Sequence, residues 1–325
     1  MTNNRNSQVA SSSRSIRERV GLIIDGANAA AAVKTIVAAE DAGVRQIWMA
    51  QPPNLPDALT IFAAAAAKTS TINLGTSIVP TYPRHPLVLA QQALALHDLA
   101  PRRLRLGIGP SHRFIIENMY GLQHTKPLVH LREYVDVLRG ALWIGKVDYH
   151  GHFYTVEAMF PRTARIPIFI STLGKMAFKL AGQIADGALT WVCPVSYLLD
   201  TGIPTLRSSA AAVERSAPPL VAYVPVALSE DRDSVLSAGH RYLDFYAKIP
   251  FYANMFSNAG FQITSDQMVP DALVDNLVIS GNEATVTARL TELLGTGLDE
   301  LMVSLVPVTG ADDEYAQLMH LIGRL

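Results

Sequence analysis

Short apolar or β-branched runs alternate along this chain with longer segments whose apolar positions recur three and four residues apart. Residues 20–24, 46–49, 72–78, 104–109, 166–170, 187–191, 221–228 and 300–305 have the length and composition of buried strands. The segments between them read as helices. Over 28–42, Val33, Ile36, Val37 and Glu40 form one stripe, and Asp57 caps an alanine-rich helix running to Lys68. Pro80, Pro83 and Pro86 forbid regular structure until Leu87 opens the next helix. Leu131, Tyr134, Val135, Leu138 and Leu142 mark the face of another, and helices follow over 174–184 and 282–294.

Eight strands, each followed by helical sequence, predict a (β/α)8 TIM barrel, with a doubly wound open sheet as the rival. Length favours the barrel. Residues 1–18 are polar and serine-rich and read as a disordered tail, which leaves one domain over 19–325. A plain barrel needs about 250 residues, so insertions of about 50 are expected. The larger falls over 229–280 and is rich in aromatic residues and methionine (Tyr242, Phe245, Tyr246, Phe251, Tyr252, Met255, Phe256, Phe261). The smaller, over 146–161, reads as a hairpin around His150-Gly151-His152. The aromatic insertion has two readings, a lid over an apolar substrate or a segment that buries itself against the barrel.

Composition narrows the function classes. Of 325 residues, 49% are hydrophobic and 17% charged, as in a well-cored globule. A formal net charge of −1 predicts no general attraction to nucleic acid or to an anionic membrane. The longest charge-free run, 249–265, is interrupted by Pro250 and Gly260, so no membrane span is expected. The single cysteine, Cys193, excludes an internal disulfide framework and fits a cytoplasmic protein.

In a parallel barrel the chemistry lies at the C-terminal ends of the strands. Those ends offer Asp25, Gln51, Ser77, Ser111 with His112, Ser171 with Thr172, and Trp191, a polar rim with few ionisable groups. It lacks the Asp, Glu and His cluster of a hydrolytic metal barrel. The turn Ser171-Thr172-Leu173-Gly174-Lys175 enters a helix, so free N–H groups, a glycine and a lysine suit a phosphate there; a plain turn is the other reading. Gly107-Ile108-Gly109 lets a flat ring approach the fourth strand or serves strand curvature. No third glycine follows at dinucleotide-fold spacing. His112 is the best-placed general acid or base, against the reading of a solvated loop histidine. His150 and His152 have no further metal ligands near them in sequence.

The ordered set of short motifs resembles the luciferase-like oxidoreductases, in the branch that uses the deazaflavin coenzyme F-420. The matching pieces are Gly75-Thr76-Ser77-Ile78 with Arg84-His85-Pro86 and Gln91, then Arg103-Leu104 with Leu106-Gly107-Ile108-Gly109, then Arg132-Glu133-Tyr134 with Leu138-Arg139. Further along come Ile166-Pro167-Ile168, Leu173-Gly174, Ala185-Asp186-Gly187 and Gly281. The resemblance implies a TIM barrel, a homodimer, and a deazaflavin ring at the C-terminal mouth. It places a bulge with a non-prolyl cis peptide, here Ser77-Ile78, behind the ring. Gly109, Ser111 and His112 would contact the ring or its tail, and Leu173, Gly174, Lys175 and Met176, next to Thr172, would hold the phosphate. Dehydrogenases of this family carry an acidic residue and a histidine after strand two and often Glu after strand four. This chain has Gln51 and His112 there, which points away from alcohol oxidation. The expected activity is hydride transfer between coenzyme F-420 and a small, largely apolar organic substrate, in the reducing direction, with His112 or a Gln51-bound water as proton donor. The alternatives are an FMN-dependent monooxygenase served by a flavin reductase, and a barrel that binds a cofactor without turnover.

Overall fold

The computed structural model describes residues 14–263 and 268–325. Eight parallel strands close on themselves: β1 (Val20–Ile23), β2 (Gln46–Met49), β3 (Asn73–Thr76), β4 (Leu104–Gly109), β5 (Ile168–Ser171), β6 (Gly187–Leu189), β7 (Leu220–Ala227) and β8 (Glu300–Leu305). Each pairs with the next, and β8 pairs with β1, Val20 lying opposite Leu301. Closure excludes the open sheet. Helices such as Ala29–Asp41, Pro86–Leu99 and Lys175–Ile184 surround the barrel, and Ala311–Arg324 follows β8.

Period-two alternation explains the filling of the interior. Trp48 and Phe169 occupy the middle, their rings 6.0 Å apart edge to face. Side chains on Gly21 or Gly75 would run into Trp48, and one on Gly187 into Phe169, so small residues on three strands make room for large ones on two. The Arg105 guanidinium lies against both rings. Toward the N-terminal end it also reaches Glu300, 1% exposed, at 2.6 Å, and Gln46 at 2.6 Å.

Of the tail expected over residues 1–18, residues 1–13 lie outside the described residues, and the remainder is built into the barrel floor. Arg14 pairs with Glu300 at 2.9 Å. Ser15 and Glu18 form a capping box on the short helix Ile16–Arg19, and Arg19 donates to the carbonyls of Leu294, Leu298 and Asp299.

The third predicted strand is shorter than its β-branched run. β3 stops at Thr76, the Ser77–Ile78 peptide is cis, and Val79–Pro80 rejoins β4 opposite Ile108 and Gly109. The small insertion is an antiparallel hairpin, Lys146–His150 with Thr155–Met159. Glu133 anchors it by accepting the N–H groups of His152, Phe153 and Tyr154. The large insertion folds as helices Arg232–Ala247, Pro250–Asn258 and Asp271–Leu277, and Ile279–Ser280 then extends the sheet beside β7. Residues 264–267 of it lie outside the described residues.

Candidate active site

The C-terminal ends of the strands form a concave mouth whose wall residues are partly exposed, among them Ile78, Ser111, His112, Ser171, Leu173 and Trp191. At the ends of β3, β4 and β5 three groups meet. A Cβ on Gly109 would lie 2.2 Å from the Ser171 hydroxyl and 3.2 Å from Ile78 Cγ1, so the glycine leaves a flat floor between them. Ser77 is 6% exposed, and its Oγ has no hydrogen-bond partner among the described residues. A buried hydroxyl left unpaired costs about 1–3 kcal/mol, which a polar ligand on that floor would recover.

The second feature lies at the end of β5. Helix Lys175–Ile184 starts at Gly174, which offers no side chain to cap it, and its first N–H groups have no intrahelical partners. Beside it is a cavity of about 430 Å³ lined by Gly174, Lys175, Tyr197, Thr201, Phe251 and Asn254. Tyr197 steadies the turn by donating to the Leu173 carbonyl at 3.2 Å, and Met176 is exposed on the next position. Positive partial charge at a helix start, a cation and a cavity together suit an anionic group.

Other expected residues prove to have structural duties. The Gln51 amide is engaged by its own loop: its oxygen accepts from Ala58 N at 2.5 Å, and its nitrogen donates to the carbonyls of Pro52 and Pro56. That side chain holds the entry to helix Ala58–Ala66. Thr172 is buried with its hydroxyl bonded to Leu189 O at 3.1 Å, so it ties β5 to β6. Gly107 lies below the floor, where Thr76 Oγ1 both donates to its carbonyl and accepts from its N–H, at 2.7 and 2.8 Å. Asp25 accepts from Ala27 N in its own turn. His150 is exposed beside Asp148, away from any metal-like cluster among the described residues.

His112 stands on the mouth wall, following Ser111, whose φ is +61°. Its ring is parallel to Phe114 with centroids 5.8 Å apart and tilted against Tyr252 at the same distance. Burial lowers its pKa, and the neighbouring His124 lowers it further. The imidazole is therefore neutral at neutral pH, with one nitrogen to donate and one to accept.

Sequence reading named Trp191, Tyr242 and Tyr246 but passed over Tyr223, which joins them in an aromatic wall opposite β3 and β4. Tyr223 on β7 is 3% exposed and stacks on Trp191 at 4.0 Å, and Trp191 Nε1 donates to Tyr246 Oη at 2.8 Å. The period-two phase of β7 was the available signal: Val221, Tyr223 and Pro225 share one side of that strand. The helix Arg232–Ala247 packs on this wall through Tyr242 and Tyr246, which meet Tyr223 and Trp191.

The family model of luciferase-like monooxygenases matches residues 6–300. The chain belongs to that family. Among its relatives, a 5,10-methylenetetrahydromethanopterin reductase of Methanopyrus kandleri is 25% identical, over 89% of this chain and 91% of the relative. An F-420-dependent glucose-6-phosphate dehydrogenase of Nocardia farcinica is 26% identical over 79% and 80%. The solved structure of the coenzyme F-420-dependent tetrahydromethanopterin reductase from Methanopyrus kandleri superposes with a TM-score of 0.77 at 23% identity, covering 94% of this chain and 97% of that one. The oxygenating constituent of 3,6-diketocamphane monooxygenase from Pseudomonas putida, solved with FMN, superposes at 0.71 with 17% identity over 94% and 96%. These superpositions establish the shared barrel.

Proposed function

We propose that this luciferase-like protein is a coenzyme F-420-dependent oxidoreductase that reduces a small, largely apolar organic substrate. The carrying observation is the pairing of the flat floor at Ser77, Ile78 and Gly109 with the uncapped, lysine-bearing helix start at Gly174. A planar ring fits the first and a phosphate the second, and the unpaired Ser77 hydroxyl supplies a polar contact for the ring. When bound, the deazaflavin supplies a hydride equivalent from its C5. The protein's own residues do the rest. Lys175 and the Gly174–Met176 N–H groups hold the phosphate, Ile78 and Gly109 back the ring, and the aromatic wall of Trp191 and Tyr246 excludes water from an apolar substrate. The F-420-dependent glucose-6-phosphate dehydrogenase within the same family supports the choice of coenzyme.

Titration of the purified protein with F-420, FMN and FAD, followed by cofactor fluorescence, tests this reading. Deazaflavin binding in the micromolar range or tighter is expected; tight FMN binding with no deazaflavin response would reject it in favour of an FMN monooxygenase. Lys175→Ala is expected to weaken deazaflavin binding about tenfold, the value of one charge-assisted contact, and to flatten the salt dependence of Kd. His112 is the wall's imidazole donor in this reading, and an unchanged turnover in His112→Ala would remove it from the mechanism.

A further inference from the structure

A second cavity, of about 290 Å³, lies where the loop after β3, the start of helix Pro127–Arg139 and the tip of the small hairpin meet. Tyr82, Gln123, Thr125, His130, Phe153 and Tyr154 line it, and none of them belongs to the mouth wall. Its aromatic side is firmly built. Tyr82 and His130 stack with their planes 3° apart and their centroids at 3.9 Å, and Tyr82 Oη donates to the Thr125 carbonyl at 2.6 Å. Phe153 meets the imidazole edge to face at 5.0 Å. The tip carrying Phe153 and Tyr154 is held through its backbone, by Glu133, while the two residues themselves are half-buried.

Hydrogen-bonding capacity is left over beside this cavity. His130 is 3% exposed; its Nε2 lies 3.1 Å from Thr81 Oγ1, and its Nδ1 has no partner among the described residues. One helical turn further on, the buried Tyr134 hydroxyl has none either. The Tyr154 ring packs against both, at 5.7 Å from His130 and 6.0 Å from Tyr134. Buried polar atoms are nearly always paired, so two orphans beside one cavity point to a partner the chain does not supply. An imidazole nitrogen donates or accepts according to tautomer, and a ligand hydroxyl can do either, so it pairs with Nδ1 wherever the ring proton lies. Burial lowers the His130 pKa to about 4, and no other lining residue carries a charge, so the wall is neutral at pH 7. Ring faces and edges from four residues suit a flat apolar body.

We propose that this cavity is a second ligand site, which takes a small neutral aromatic alcohol with its hydroxyl bonded to His130 Nδ1. The site stands apart from the reductase reading and does not depend on it. Nδ1 is shielded from solvent, and Phe153 and Tyr154 are partly exposed rings packed on the same imidazole. The ligand reaches the nitrogen as one of these rings turns about its side-chain bonds, a fast movement that leaves the backbone anchor on Glu133 in place. The hairpin insertion thereby gains a role beyond packing, since its tip supplies two of the rings that enclose the ligand.

The test uses the full chain and 4-fluorophenol as probe, with binding followed by fluorine NMR. A Kd of about 1 mM or tighter is expected for a molecule of about eight heavy atoms. Fluorobenzene, which lacks the hydroxyl, should bind about fivefold more weakly, and the charged 4-fluorobenzoate at least about tenfold more weakly. His130→Phe keeps a stacked ring and removes both nitrogens, so the preference for the phenol over fluorobenzene should shrink to within about twofold while fluorobenzene still binds. Phe153→Ala, at the half-buried tip, should weaken both probes at least about threefold, and it carries the test if His130→Phe does not fold. Trp191→Ala, at the mouth, should leave both Kd values within about twofold. The proposal is overturned by a wild-type protein that does not bind 4-fluorophenol below about 10 mM. It is overturned equally by a His130→Phe protein that still prefers the phenol, or by 4-fluorobenzoate binding as tightly as the phenol. Binding lost in Trp191→Ala and kept in Phe153→Ala would put the probe in the mouth and overturn it as well.

Discussion

Glu300→Leu is expected to destabilise the barrel by about 3–5 kcal/mol, measured by urea unfolding at pH 7. Glu300 is 1% exposed and carries the only carboxylate facing Arg105 in the described interior, with Arg14 closing the group from below. Removing it leaves the Arg105 guanidinium, 14% exposed, with Gln46 and two ring faces in place of an ion pair. Uncompensated buried charge is among the costliest defects in a core, whereas removing both partners is mild, so Arg105→Met in the Glu300→Leu background should recover much of the loss. The pH dependence has a definite sign. Burial alone would raise the Glu300 pKa, but the two arginines and their hydrogen bonds together bring it below the ordinary 4.5. A depressed carboxyl pKa contributes stability that is fully present above the unfolded value and is lost as pH falls through the folded one. The gap between wild type and Glu300→Gln should therefore be constant from pH 7 down to about 4.5 and shrink in more acid solution.

The barrel was legible because its signals are local. Period-two runs, the stripe of Val33 and Ile36, and the cap at Asp57 each depend on near neighbours, and counting eight such units with one insertion-sized excess was enough to favour closure. The uncapped helix start at Gly174 and Lys175 was legible for the same reason, since a helix start can be read from its own residues. What failed to show was direction. Gln51 sits at a strand end, as a catalytic amide would, but its oxygen turns to Ala58 N, and no local pattern reveals that. Thr172 and Gly107 likewise belong to the right strands at the wrong depth. Arg14 reads as tail in the sequence because its partner, Glu300, is 286 positions away. Tyr223 was overlooked because a tyrosine in a buried strand reads as core until Tyr242, from another element, is brought to its hydroxyl.

Gly107→Ala and Gly109→Ala are expected to separate folding from coenzyme binding although the two glycines lie two residues apart on the same strand. A Cβ on Gly107 would fall 1.9 Å from the Thr76 carbonyl oxygen and 2.5 Å from Leu189 Cδ1. The first contact is backbone, so β3 and β4 must part, and with them go the two hydrogen bonds that Thr76 Oγ1 exchanges with Gly107. Overpacking with backbone displacement costs about 1–3 kcal/mol, and the lost buried hydrogen bonds add to it, so the melting temperature should fall by several degrees. At Gly109 the nearest obstacle is the Ser171 hydroxyl, a side-chain atom on a partly exposed residue that can rotate into the mouth, while Ser171 Cβ at 3.0 Å must give by a few tenths of an ångström. The barrel tolerates that movement, and thermal unfolding of Gly109→Ala should lie within about two degrees of wild type. The displaced hydroxyl and the added methyl then occupy the flat floor on which the ring is proposed to lie. Deazaflavin affinity, measured by fluorescence titration, should drop at least about tenfold, because a planar ligand has no means of moving around a methyl group in its plane of contact. Equal stability losses in both variants with an unchanged coenzyme Kd would mean that the end of β4 is scaffold like its middle, and that the ring sits elsewhere in the mouth.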